Sequence, residues 1–249
     1  MSTDAVITNS GTAAMNKSEF DQFADEYSYL HATNIKVSGE TPDFFAEYKV
    51  VDTAKHLKNQ CINEDFRILD FGAGVGNSIP FFLKYFSGAK LVCADVSEKS
   101  LKIAQARHPD LAEYTLFNGI NLPFNNESFD VVFTACVFHH IDAEEHIGLF
   151  KEVLRVLKRN GTFIIFEHNP LNPLTVRAVN TCEFDKNAVL ISKQKLKRNL
   201  QESGFIQITS KYRIFFPRFM RALRVFEPLI AWLPLGAQYY VAGKKSDHA

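Results

Sequence analysis

Long apolar runs are absent: no stretch of the 249 residues reaches the roughly 18 apolar side chains that a membrane-spanning helix needs. The longest candidate, Phe215 to Pro234, is broken by Arg218, Arg221, Arg224 and Glu227 and by three prolines. Net charge is absent too, since 28 Lys+Arg balance 28 Asp+Glu. That excludes the broadly basic surface of a nonspecific nucleic-acid binder, and no nucleic-acid partner is expected. Cysteine is scarce. Cys61, Cys93, Cys136 and Cys182 stand far apart, with no CxxC pair and no neighbouring His cluster. They read as thiols of a reducing compartment rather than as a zinc site or disulfide frame, so no metal is expected and cytoplasm is the default location. Residues 1–15 lack a basic start followed by an apolar run, so no secretory signal is expected.

What is present is ordinary globular usage, 46% hydrophobic and 22% charged, which rules out global disorder and a collagen-like chain. A single Trp accompanies 23 Phe, so a large aromatic supply needs a place in the fold. The zero charge is a sum of unlike parts. Residues 1–65 hold 5 basic and 11 acidic residues, whereas residues 193–224 hold nine basic residues and only Glu202 as an acid. Such asymmetry marks either a face for anions or membranes, or a solvated helix surface.

Residues 1–15 are expected to be a disordered tail and residues 16–249 one domain. Within it, 16–65 would be a helical cap, with helices over 18–30 and from Thr41 or Pro42 to about Asn59. From residue 66 short β-rich runs alternate with helical segments. Strands are expected at Arg67–Phe71, Lys90–Ala94, Tyr114–Phe117, Asp130–Thr134 and Thr162–Phe166, with helices near 77–86, 98–107 and 144–158. This alternation predicts an α/β fold, a mostly parallel sheet with helices on both faces. The DVVFT run at 130–134 is nearly all apolar, as a doubly covered central strand should be. After Glu167 the rhythm breaks at HNPLNP, residues 168–173, which reads as a turn. A helix at 193–203, ended by Gly204, then precedes strands near 205–215 and 238–242.

The sharpest signal is ILDFGAGVGN, residues 68–77: an apolar strand, glycines at alternate positions, then a helix beginning near Ser78. Small residues let the backbone turn tightly and let a ligand lie against the main chain. The dinucleotide fingerprint G-x-G-x-x-G is not met, because Asn77 stands where its third glycine belongs, which weakens a pyrophosphate-binding reading. Nineteen residues after Gly76, at the end of the next strand, stands Asp95. A carboxylate there can accept hydrogen bonds from a ribose diol. Its competing reading, a helix N-cap, is better met by Ser97.

In these motifs the chain resembles the class I S-adenosylmethionine-dependent methyltransferases of the small-molecule type. The resemblance covers roughly residues 66–166: LDFGAGVGN, CADVS, LPFNNESFDVVFTACVFHHI and RVLKRNGTFIIFE. It implies a Rossmann-like seven-stranded sheet whose last strand runs antiparallel, and S-adenosylmethionine as cofactor. It further implies that Asp70, Gly72, Ala73, Gly74 and Gly76 line the methionine half, Asp95 holds the ribose and Val96 packs on adenine. Gly119 and Ile120 would meet the adenine edge, and Ala135 and Cys136 would offer backbone groups to the methionine part. Members usually carry an Asp where this chain has Asn118. An amide oxygen can accept the same adenine bond. No NPPY or DPPY follows the fourth strand, which speaks against adenine-N6 or glutamine methylation.

Methyl transfer from a sulfonium is an in-line displacement, helped by alignment and exclusion of water. A hydroxyl acceptor would also benefit from a general base. His139, His140 and His168 are the candidates, against the plainer reading that each fixes a loop. Specificity should lie outside the sheet, in the N-terminal helices (Tyr27, Tyr29, His31, Lys49) and in residues 168–249. In residues 215–236, Phe219, Leu223, Phe226 and Ile230 fall on one helical stripe and Arg218, Arg221 and Arg224 on another. That is the pattern of an interfacial helix with peripheral membrane contact, or of a cap packed on the sheet or on a second subunit. The segments SGETPDFFAEYK and EHNPLNPLT add a looser resemblance to bacterial methyltransferases of surface-glycan or lipid-linked saccharide synthesis. It implies an oxygen acceptor on a saccharide or lipid-linked substrate, with a small molecule as the broader class. A monomer or homodimer is expected. An RNA or protein methyltransferase and a nonenzymatic cofactor-binding protein stand as the alternatives.

Overall fold

Strands whose residues are apolar on both faces need cover on both faces, and the chain supplies it by alternating them with helices. The computed structural model describes residues 38–58, 62, 64–183 and 185–247. The expected tail at 1–15 and helix at 18–30, and with them Tyr27, Tyr29, His31 and Cys61, lie outside the described residues. The elements in chain order are α1 (Pro42–His56), β1 (Arg67–Phe71), α2 (Ile79–Tyr85), β2 (Lys90–Asp95), α3 (Glu98–Arg107), β3 (Glu113–Leu116) and β4 (Phe129–Ala135). A 3₁₀ turn at Phe138–His140 leads to α4 (His146–Val156), β5 (Leu157–His168), α5 (Pro173–Thr181), α6 (Lys193–Glu202) and β6 (Ile206–Arg213). A 3₁₀ segment at Arg218–Phe226, α7 (Glu227–Ile230) and β7 (Gln238–Lys244) complete it.

The sheet order is β3-β2-β1-β4-β5-β7-β6, and β7 runs antiparallel to both β5 and β6. The Rossmann-like seven-stranded architecture expected from the sequence is therefore the one observed. Because β2 lies on one side of β1 and β4 on the other, a crevice opens at the carboxyl ends of β1 and β4, the usual place for a ligand in such sheets.

Successive strand residues feed two cores. Leu69, Phe163, Ile165, Tyr239 and Val241 enter one cluster, while Ile68, Ile164, Phe166, Tyr240 and Ala242 enter the other. The Phe supply goes to both. Phe71, Phe138, Phe150 and Phe163 pack below one face, and Phe82, Phe133 and Phe166 below the other. Each fully buried Phe contributes about 1.5–3 kcal/mol by removal from water. Rings such as Phe138 and Phe150, 4.7 Å apart, add a smaller pairwise preference.

The turn expected at HNPLNP is observed: Asn172 N donates to Asn169 O at 3.1 Å across Pro170 and Leu171, and the extended Asn172 (φ −93°, ψ 113°) then caps Thr175 N as Pro173 opens α5. One expectation is corrected. Residues 215–236 do not form one amphipathic α-helix. They form a 3₁₀ segment with a kink at Met220, then the short α7, with Pro217 and Pro228 opening the two pieces.

The oppositely charged regions of the chain meet. Arg213 pairs with Asp52 of α1 and lies 3.8 Å from Glu227, and Arg224 pairs with Glu40 at 2.8 Å while lying over the Phe44 ring. Arg218 donates to Gly39 O. Three of the nine basic residues read from 193–224 thus tie β6 and the insertion before β7 to α1 and the residues just ahead of it.

Candidate functional site

The loop after β1 is fastened to the end of β2. Gly72 N and Ala73 N donate to Ala94 O at 2.8 and 3.2 Å, and Gly74 N donates to Asp95 Oδ2 at 2.8 Å. On its far side, Arg107 of α3 donates to Val75 O and to Asn77 Oδ1, which gives Asn77 a structural task at the position of the missing third glycine. Gly72, Gly74 and Gly76 all have positive φ, a conformation that L side chains rarely adopt. Their surroundings differ. A Cβ at Gly72 would lie 2.4 Å from Val137 Cγ2, and one at Gly76 would lie 2.8 Å from Ile79 Cδ1 and 3.0 Å from Ala104 Cβ. A Cβ at Gly74 would meet none of the described atoms within 4 Å. Gly72 and Gly76 serve internal packing; Gly74 faces open space, the cradle that a Cβ would fill.

Asp95 is buried and also accepts from Ser97 N at 2.8 Å. The cap of α3 is Ser97, whose hydroxyl accepts from Ser100 N, so Asp95 is not needed for that task. Gly74 N and Ser97 N thus reach one oxygen each of the Asp95 carboxylate and fix its plane beside the loop. Asp70 is buried behind the loop. Burial and the nearby Asp95 charge push its carboxyl up to about 7, against the opposing pull of Lys49.

On the adenine side, Gly119 (φ 83°) and the exposed Ile120 form the rim, and Val96 is buried in the core cluster. Asn118 departs from its expected role. Its Oδ1 already accepts from Ile120 N and Asn121 N at 3.0 and 2.8 Å, so both lone pairs are engaged in the turn. What Asn118 has to offer a base is its amide N–H.

At the end of β4, Ala135 is half-buried and Cys136 has φ 60°, a strained value for a non-glycine residue at a site. Cys136 N donates to Phe166 O at 2.8 Å. Its sulfur lies 3.5 Å from Lys49 Nζ and 3.8 Å from Gln238 Nε2. Burial raises the thiol pKa, but Lys49 and His168 more than offset it, bringing it down to about 7. Gln238 Nε2 lies 3.3 Å from His168 Nδ1, and Tyr48 donates its hydroxyl to Gln238 Oε1. In that contact the amide N–H of Gln238 donates and His168 Nδ1 accepts. Tyr48 and Gln238 were not legible as site residues, because α1 and β7 meet here only through the fold.

His139 is buried, with 1% of its surface exposed, and its Nδ1 lies 2.6 Å from Glu167 Oε2. Burial would lower its pKa, but Glu167 and Asp185 raise it to about 10. Its Nδ1 is held by Glu167 and its Nε2 faces Asp185, so both ring nitrogens of His139 turn toward carboxylates, against its expected role as general base. His140 stands beside it, the rings 4.3 Å apart.

Residues 69–165 match the family model described as a methyltransferase domain. A demethylmenaquinone methyltransferase of Thermotoga maritima is 31% identical over 153 residues, 61% of this chain and 61% of that protein. The corresponding protein of Clavibacter sepedonicus is 38% identical over 114 residues, 45% of each. The chain thus spans about half the length of the curated relatives it matches. Among solved structures, a possible histamine N-methyltransferase of Thermotoga maritima has a TM-score of 0.64 at 21% identity, over 92% of this chain and 99% of that one. A Haemonchus contortus phosphoethanolamine N-methyltransferase in complex with S-adenosyl-L-methionine has a TM-score of 0.64 at 19% identity, over 91% and 60%. At those identities the likeness is one of fold. The open cradle over Gly74 and the Asp95 carboxylate beside it fit the same cofactor, S-adenosylmethionine.

Proposed function

We propose that this protein works as what its residues 69–165 are, a methyltransferase domain of the class I S-adenosylmethionine-dependent kind, and that it methylates an oxygen of a small-molecule, saccharide or lipid-linked acceptor. The observation that carries the reading is the cradle at Gly74, open where its two neighbouring glycines are packed, with Asp95 fixed beside it by two backbone bonds. When bound, S-adenosylmethionine supplies a methyl group on a positively charged sulfur. The protein's part is to bind, orient and exclude water. Asp95 accepts from the ribose hydroxyls. Asp70, Gly72, Ala73, Gly74, Gly76, Ala135 and Cys136 surround the methionine part, and Val96, Asn118, Gly119 and Ile120 the adenine.

On the acceptor side, Lys49, Tyr48 and Gln238 hold Cys136 and His168 in one polar cluster, and His168 is read as the group that orients an acceptor oxygen. Residues 168–249 are read as the acceptor-side part and residues 16–65 as its cap. Support for a lipid-linked acceptor comes from the insertion before β7. Phe219, Leu229 and Trp232 are 85%, 73% and 72% exposed, with Leu235 and Arg221 also at the surface. Such an apolar surface beside a cation suits contact with a membrane or an acyl chain. No described helix is long and apolar enough to cross a membrane, so contact would be peripheral.

Transfer of a labelled methyl group into lipid, glycan and RNA extracts tests this. Label in the lipid or glycan fraction supports the proposal; label in RNA or protein alone rejects the acceptor. Flotation with anionic liposomes tests the surface: floating lost on Phe219→Asp and Trp232→Asp is expected, and failure to float leaves a soluble acceptor.

A further inference from the structure

Sequence distance hid one cluster. His139 and His140 leave the end of β4, while Asp185 sits between α5 and α6, and the fold brings the three together. His139 Nε2 and His140 Nε2 lie 3.6 and 3.5 Å from the same atom, Asp185 Oδ1, and the three atoms are within 4.8 Å of one another. Those separations exceed the roughly 2.7–3.2 Å of an N–H···O hydrogen bond. They match the edge of a tetrahedron whose centre is about 2.0–2.1 Å from each corner, an edge of about 3.4 Å.

Two further observations point the ring of His139 at an ion. Its Nε2 has no hydrogen-bond partner among the described residues, although the residue is almost wholly buried. Its other nitrogen is held by Glu167 at 2.6 Å, and the second oxygen of that carboxylate is itself fixed, accepting from Phe138 N at 2.9 Å. A carboxylate that orients a His through Nδ1 while Nε2 faces a second carboxylate is the arrangement found behind metal-bound histidines. The loop carrying Asp185 is tied to the same place, since Val189 N donates to His139 O at 2.7 Å.

We propose that His139, His140 and Asp185 form a site for one divalent transition-metal ion, Zn²⁺ fitting best, which fastens the loop over 185–191 to the end of β4. Two imidazoles and one carboxylate are a donor set that zinc and ferrous iron share, and the edge lengths favour the tetrahedral preference of zinc. A divalent ion places positive charge between Glu167 and Asp185, two buried carboxylates. The inference does not depend on the identity of the acceptor.

The test is titration of the metal-free, tag-free full chain with Co²⁺, followed by visible absorption, with competition by Zn²⁺. One equivalent should produce the intense d–d bands of tetrahedral nitrogen and oxygen coordination, displaced by Zn²⁺. Asp185→Asn should weaken binding at least tenfold, and Cys136→Ser should leave it unchanged. Should Asp185→Asn fail to fold by circular dichroism, His140→Ala carries the same comparison. Absence of the bands, wild-type affinity in the folded variant, or loss of the bands in Cys136→Ser would each overturn the site.

Discussion

Replacing the three loop glycines one at a time by alanine separates binding from folding. An L residue at positive φ costs about 1 kcal/mol wherever it is placed. At Gly74 that is nearly the whole cost, because an added Cβ meets none of the described atoms within 4 Å. At Gly72 the Cβ would lie 2.4 Å from Val137 Cγ2, and at Gly76 2.8 Å from Ile79 Cδ1, distances at which something must move. Overpacking of that kind adds about 1–3 kcal/mol. For a chain of this size about 1 kcal/mol corresponds to about 2–4 °C in Tm. Gly74→Ala should therefore lower Tm by only a few degrees, and Gly72→Ala and Gly76→Ala by about 5–15 °C. Calorimetric binding of S-adenosylhomocysteine should rank differently. Gly74→Ala should lose at least about tenfold in affinity, about 1.4 kcal/mol, because its methyl group enters the space the ligand occupies. Melting curves and titrations on the same samples decide it. If Gly74→Ala binds like the wild type, or melts as low as Gly72→Ala, the assignment of the cradle is wrong.

Further outcomes follow from the same site. Asn118→Asp should tighten cofactor binding, because a second carboxylate oxygen restores the acceptor that the turn now uses; a weaker or unchanged Kd would contradict the hydrogen-bond reading. The Cys136 thiol, brought to about 7 chiefly by Lys49 against burial, should be alkylated with a midpoint near that pH. Lys49→Met should move that midpoint upward, and a fixed midpoint would remove Lys49 from the cluster. Asp70 stays protonated in the folded protein up to about pH 7 but ionises from about pH 4 when unfolded. Folding therefore takes up a proton in between, and stability falls across that window by at most about 1.4 kcal/mol per pH unit. Asp70→Asn should flatten the fall in Tm between about pH 4 and 7, and an equally steep fall would exclude Asp70 as its source.

The cofactor half of the protein was legible because its signals are local. The Arg67–Phe71 strand, the three glycines and Asp95 declare themselves within a short stretch, and β1 and α3 lie where the pattern put them. The turn at HNPLNP was legible from its two Asn-Pro pairs, but not the helix it leads into, which Asn172 caps at Thr175 N. The stripe of Phe219, Leu223 and Phe226 suggested an α-helix, but Pro217, Pro228 and the kink at Met220 divide it. The acceptor side was hidden for another reason. Lys49, Cys136, His168 and Gln238 come from separate parts of the chain, and Asp185 meets His139 and His140 only because two loops converge beyond the carboxyl end of β4. No periodicity announces such a meeting.

The most direct test of the central claim is transfer of a labelled methyl group from S-adenosylmethionine by the wild-type protein and by Asp95→Ala, incubated with the same lipid and glycan extracts. The account expects label in one acceptor fraction with the wild type, and a loss of at least about tenfold with Asp95→Ala at limiting cofactor. No label from the wild type in any fraction, together with no calorimetric binding of S-adenosylmethionine at high protein concentration, would contradict it.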